Sequence, residues 1–84
     1  MYERSITVSS FLEPSAVALL VQTASKFNSR ISLIIDEKTA NAKSIMGIIS
    51  LNMQEKERLT IAATGDDAEK AVMALEQFFS TPLS

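Results

Sequence analysis

The chain has 84 residues, a net charge of −2, and neither cysteine nor histidine. That length allows one domain with a modest core, and a composition of 46% hydrophobic and 21% charged residues is that of a folded globular protein rather than a disordered tail. Without cysteine there is no disulfide, thiolate catalysis or cysteine-ligated zinc; without histidine the commonest general base, the commonest metal ligand and any phosphohistidine are missing.

The eight basic residues are scattered along the sequence. Binding to nucleic acid through its phosphates needs several of them together, so proteins are the expected partners. Met1 is followed by Tyr-Glu-Arg-Ser with no visible leader pattern, and the apolar runs fall far short of the roughly 20 residues of a membrane span. A cytoplasmic protein with no membrane contact is expected.

In chain order, the β-branched run at residues 3–8 predicts a first strand, and "SSFLE" a loop. From Pro14 the apolar residues Ala16, Val17, Leu20, Val21, Ala24 and Phe27 fall at helical spacing, which predicts a helix over 14–26 with one buried stripe. "SRISLIID" puts Ile31, Leu33 and Ile35 on one strand face, and "DEKT" turns the chain into the short segment "TANA", although this turn has no glycine.

Ser44 stands before the short apolar stretch "IMGIISL" and is placed to cap it, while Gly47 argues against a long helix there. Ile48 and Leu51 are expected to point inward. "QEKER" reads as a solvated loop, followed by a strand with Leu59, Ile61 and Ala63 on one face and a break at Gly65. "DDAEKAVMALEQFF" then opens with Asp66 and Glu69 at a capping-box-like spacing, and Ala68, Ala71, Val72, Leu75 and Phe79 make its core stripe. The tail "STPLS" is expected to fray. Asp66, Asp67 and Glu69 read as capping residues rather than a metal site.

Each amphipathic helix has one face to bury and each strand offers one apolar face. A single sheet covered on one side by helices satisfies both, an α+β two-layer sandwich.

At "NAKSIMGIISL", residues 41–51, the sequence resembles the HPr family, the small histidine-containing phosphocarrier proteins of the bacterial sugar phosphotransferase system. The likeness is strongest to the Gram-positive members and to Crh, their paralogue in carbon catabolite repression. Element order, length and the segment "GDDAEKAVMALEQF" carry it over almost the whole chain. It implies one domain over residues 1–84, an open-faced sandwich of βαββαβα order with a four-stranded antiparallel sheet, no enzymatic activity and no cofactor.

The family carries its phosphate on a histidine in a Gly-Leu-His-x-Arg-Pro-Ala-like motif at the start of the first helix. "F-L-E-P-S-A-V" falls on that motif, with Leu12 kept, Glu13 at the histidine position, Ser15 at that of the phosphate-binding arginine and Ala16 at that of the proline. Nucleophile and cation are lost together. A phosphorelay needs a labile adduct and donors to hold its charge; a Glu13 acyl phosphate would find neither a cation at Ser15 nor an N–H at Pro14. Glu13 is then either an acidic residue favoured by the helix dipole or a partial mimic of the loaded carrier.

The resemblance places Ser44 at the serine modified by the HPr kinase/phosphorylase of Gram-positive bacteria, in intact surroundings. Phosphate at a helix start gains from the dipole and from backbone N–H donors, so the modification need not unfold the chain; an unmodified cap fits the same residue. In the family this segment and the first helix dock phosphotransferase proteins and a LacI-type catabolite repressor. The corresponding candidates here are Ile45, Met46 and Ile49 with Glu13, Ser15, Ala18 and Gln22. The first-helix half carries less positive charge than the family's, with Ser15, Ala18, Leu19 and Gln22 preceding Lys26, which weakens docking to acidic partners.

The expected function is that of a Crh-like regulatory protein, phosphorylated on Ser44 and without histidine phosphotransfer. The alternatives are a phosphocarrier with Glu13 as an unorthodox acceptor, and a non-phosphorylated decoy of HPr. The oligomeric state is open between a monomer and a strand-exchanged dimer.

Overall fold

The computed structural model describes residues 1–8, 13–54 and 56–80. Along the chain run β1 (Tyr2–Thr7), α1 (Pro14–Ser25), β2 (Arg30–Ile35), β3 (Lys38–Asn41), α2 (Ile45–Leu51), β4 (Arg58–Thr64) and α3 (Ala68–Ser80). Every expected element is present, with its ends moved by one or two residues. α1 stops at Ser25 because Lys26 forms its C-cap, and the short segment after the turn pairs from Lys38 rather than Thr39. The expected fray of the tail and the position of Leu12 lie outside the described residues, as does part of the "SSFLE" and "QEKER" loops.

The described strands form one antiparallel sheet in the order β1-β4-β2-β3. Its register sets Leu33 beside Ile61 and Ile31 beside Ala63, so the period-two apolar residues of the two central strands line one face. That face and the helix stripes make a single core, in which Leu20, Ile31, Leu33, Leu59, Ile61 and Leu75 are fully buried. Burying each such side chain contributes about 1.5–3 kcal/mol. Val21 and Phe27, at the edge of the α1 stripe, are partly buried against the same core.

The opposite face carries Glu3, Ser5, Arg30, Thr39, Asn41 and Thr64, all exposed. This is the open side of the sandwich, and the Ser5 and Thr60 hydroxyls bond across it at 3.1 Å. The β2–β3 hairpin closes without glycine because Asp36 takes a left-handed conformation, φ 54°. Asp and Asn tolerate that region better than other side-chain-bearing residues.

The capping-box expectation at α3 is corrected. The helix begins at Ala68, and the Ala71 N–H donates to the Asp67 carbonyl at 2.9 Å, so Asp67 and not Asp66 occupies the cap position and Glu69 falls in the first turn. The Asp67 carboxylate faces across the fold instead. It accepts the Asn28 N–H and the Ser29 N–H, each at 2.9 Å, and the Ser29 hydroxyl. Gly65 completes this junction: at φ 146° it lies so close to Ser29 that a Cβ would stand 2.6 Å from the Ser29 Oγ and 2.8 Å from its Cα.

Candidate functional site: two helix starts and an exposed apolar patch

α1 starts at Pro14, whose missing N–H is harmless in the first turn and whose fixed φ suits a helix. Glu13 is the N-cap, extended at φ −72° and ψ 157°, and its carbonyl accepts the Val17 N–H at 3.0 Å. Its side chain makes no capping hydrogen bond and is exposed. The carboxylate therefore acts on the helix through its charge alone, beside the N–H groups of Ser15 and Ala16 that the first turn leaves without helical partners. Ser15, Ala18 and Gln22 are exposed on the same helix.

α2 is built differently. Ser44 is its N-cap, and the Ser44 Oγ accepts the Gly47 N–H at 3.1 Å. The Ser44 carbonyl takes the Ile48 N–H at 3.1 Å, and the Ser44 N–H donates to the Asn41 carbonyl at 3.0 Å, which fixes the serine at the corner between β3 and α2. The helix ends after two turns, where Asn52 enters the left-handed region at φ 51°. Ser44 is partly exposed, and the first turn that follows it holds no acidic residue. A negative group on its Oγ would meet free N–H ends and the positive end of the dipole, with no carboxylate in that turn to repel it.

On α2, Ile48 and Leu51 are buried as expected, and they hold the helix to the core. Ile45, Met46 and Ile49 are exposed to 46%, 72% and 52%, so three of the seven residues are large apolar groups facing solvent. Leu19, on α1, is likewise exposed, to 54%. Its place off the α1 stripe, next to Leu20, is the sequence signal for that exposure. An exposed Ile/Met surface of this kind suits recognition of another protein.

Asp67, read from sequence as a capping residue, ties the end of α1 and the start of β2 to α3 instead. Nothing local in the sequence marks this role, because its partners Asn28 and Ser29 lie on another loop. Its carboxyl is held below its ordinary value, chiefly by the Ser29 hydroxyl and next by the Asn28 N–H. Turned toward these donors, it does not converge with Asp66 and Glu69 on a cation. Among the described residues no helix is long and apolar enough to cross a membrane.

Comparison with known proteins places this geometry. The family model for the phosphorylation site of the HPr component of the phosphotransferase system matches residues 3–81. A phosphocarrier protein HPr of Mycoplasma capricolum subsp. capricolum is 38% identical over 66 residues, covering 79% of this chain and 74% of that protein. The crystal structure of a phosphocarrier protein HPr from Bacillus anthracis superposes with a TM-score of 0.88 at 40% identity, covering 93% of this chain and 95% of the other. The catabolite repression protein Crh of Bacillus subtilis, solved as a domain-swapped dimer, gives a TM-score of 0.78 at 35% identity, covering 89% of this chain and 86% of the other.

Fold and family match together define an HPr-type scaffold, and HPr phosphocarrier proteins are carriers rather than enzymes. The chain belongs to the HPr family. It does so with no histidine anywhere in its sequence.

Proposed function

We propose that this protein is a regulatory member of the HPr family that does not transfer phosphate through a histidine and is switched by phosphorylation of Ser44, as an effector in carbon catabolite regulation. The observation that carries this reading is the contrast between the two helix starts. At α1 the chain offers a carboxylate where the resemblance places the histidine, and Ser15 in place of a cation; at α2 it keeps a partly exposed capping serine beside exposed Ile45, Met46 and Ile49.

In this reading the HPr kinase/phosphorylase adds a phosphate to the Ser44 hydroxyl. The added oxygens take over the capping role from the Oγ, and the charge sits beside an apolar docking surface. A LacI-type catabolite repressor reads that charge and the Ile/Met surface together, along with the weakly charged face formed by Glu13, Ser15, Ala18 and Gln22. The protein acts in the cytoplasm, as a monomer or as a dimer that exchanges its first strand; the similarity to Crh, which was solved as a swapped dimer, supports the second form.

A rival reading takes Glu13 as a phosphoryl acceptor, and its support is that the Glu13 carboxylate is exposed at a helix start. Repressor binding tests the leading one. Titrated into a LacI-type catabolite repressor, the Ser44-phosphorylated protein binds and the unmodified protein does not, and Met46→Ala weakens the phosphorylated form. Equal binding with and without the phosphate would remove the switch from the account.

A further inference from the structure

A polar concavity lies at the end of the sheet where β2 begins, lined by Asn28, Ser29, Arg30, Asn41, Lys43 and Thr64, with a volume of about 590 Å³. Arg30 stands directly opposite Thr64 on β4. On its other side, Ser32 faces Asn41 on β3, and the Ala42 N–H donates to the Ile31 carbonyl at 2.9 Å, after which the chain leaves the strand and Lys43 lies in the turn before α2. Two cations, Arg30 and Lys43, thus line one cleft, and basic groups gathered in a concavity favour an anion there.

Lys43 is held in place. Its Nζ donates to the Phe27 carbonyl at 2.7 Å, and its backbone N–H donates to the Asn41 Oδ1 at 2.8 Å. An ammonium has three donors, so two remain for another group. Among the described residues, no hydrogen bond or ion pair engages the Arg30 guanidinium or the side chains of Asn28 and Thr64, and the Asn41 amide keeps its NH₂ donors. Among the described residues, no carboxylate lines the cleft. The carboxylate bonded to its lining residues, Asp67, has both oxygens taken by Asn28 and Ser29.

We propose that this cleft binds a small oxyanion, a phosphate- or carboxylate-bearing metabolite, with the Arg30 guanidinium as the main clamp and Lys43, Asn28, Asn41 and Thr64 as further donors. Its size suits a ligand of a few tens of atoms or fewer, and a planar guanidinium fork beside a fixed ammonium matches the geometry of either anion. Lys43 precedes Ser44 in the chain, so a ligand here sits at the same β3–α2 corner as the capping serine. The binding itself is independent of whether Ser44 is ever phosphorylated.

The test is an NMR titration of the full chain with pyrophosphate, and separately with citrate, against sodium chloride of matched ionic strength. Saturable shifts confined to Asn28, Arg30, Asn41, Lys43 and Thr64 are expected, and Arg30→Gln weakens them by roughly tenfold or more, the effect of losing a charge-assisted pair. Saturation with only one of the two anions supports the site and assigns its ligand chemistry. Shifts that follow sodium chloride, or an Arg30→Gln protein that binds as tightly as the native one, overturn the proposal. Arg30 is exposed, so the substitution leaves the core untouched.

Discussion

The Asp67 carboxylate and Ser29 form a long-range pin, the Ser29 N–H and hydroxyl both donating to one carboxylate oxygen while the Asn28 N–H takes the other. Ser29 is 1% exposed and, among the described residues, is the one buried polar side chain. The pin joins the loop after α1 to the start of α3, and so sets how two of the helices sit over the sheet.

A pH dependence follows from it. Donors to the ionised form hold the Asp67 carboxyl below its ordinary value of 3.8 in the folded state. A depressed folded pKa contributes stability that is fully present above the unfolded value and is lost as pH falls through the folded one. Urea midpoints of the native protein should therefore fall as the pH drops below about 4, the unfolded carboxylate value. Asp67→Asn should start lower at neutral pH and show a shallower acid loss, and parallel curves for the two proteins would argue against the pin.

Gly65 is placed beside the same pin. Gly65→Ala brings a Cβ against the Ser29 backbone at a φ that side chains rarely adopt, and a cost of about 1–3 kcal/mol is expected. Chemical denaturation measures it. A loss within about 0.5 kcal/mol, as for an ordinary surface substitution, would mean that the β4–α3 turn yields freely.

At α2, Ser44→Ala removes the acceptor for the Gly47 N–H and should cost about 1 kcal/mol of global stability, the usual worth of an N-cap. Ser44→Asp keeps an acceptor at the cap and should stay close to the native value. The order of urea midpoints, with alanine lowest, checks the capping geometry independently of any kinase.

The fold was largely legible because its signals are local. Alternation in Ile31, Leu33 and Ile35 and helical spacing from Ala16 to Phe27 report which side chains face the core, and both patterns survive in the folded chain. The Ser44 cap was legible for the same reason, since donor and acceptor are three residues apart. The Asp66–Glu69 spacing misled because the helix starts one residue later, with Asp67 at the cap and its carboxylate held by Asn28 and Ser29, far away in sequence. The cleft at Arg30 and Lys43 was equally hidden: Arg30, Lys43 and Thr64 lie on separate segments that only the folded chain brings to one cleft.

Substitution at the start of α1 tests the reading of Glu13. The double variant Glu13→His, Ser15→Arg returns a nucleophile and a cation to the start of α1 and should accept phosphate from the general phosphotransferase enzyme with phosphoenolpyruvate, while the native chain accepts none. Mass spectrometry under conditions that preserve labile adducts distinguishes them. A labelled native chain that loses its phosphate on Glu13→Gln would establish the acyl-phosphate reading instead.

The most direct measurement is the intact mass of the protein after incubation with HPr kinase/phosphorylase and ATP, beside the Ser44→Ala variant. A single phosphate on the native chain and none on the variant is the predicted result. An unmodified native chain, or a phosphate that persists in Ser44→Ala, would contradict regulation through Ser44.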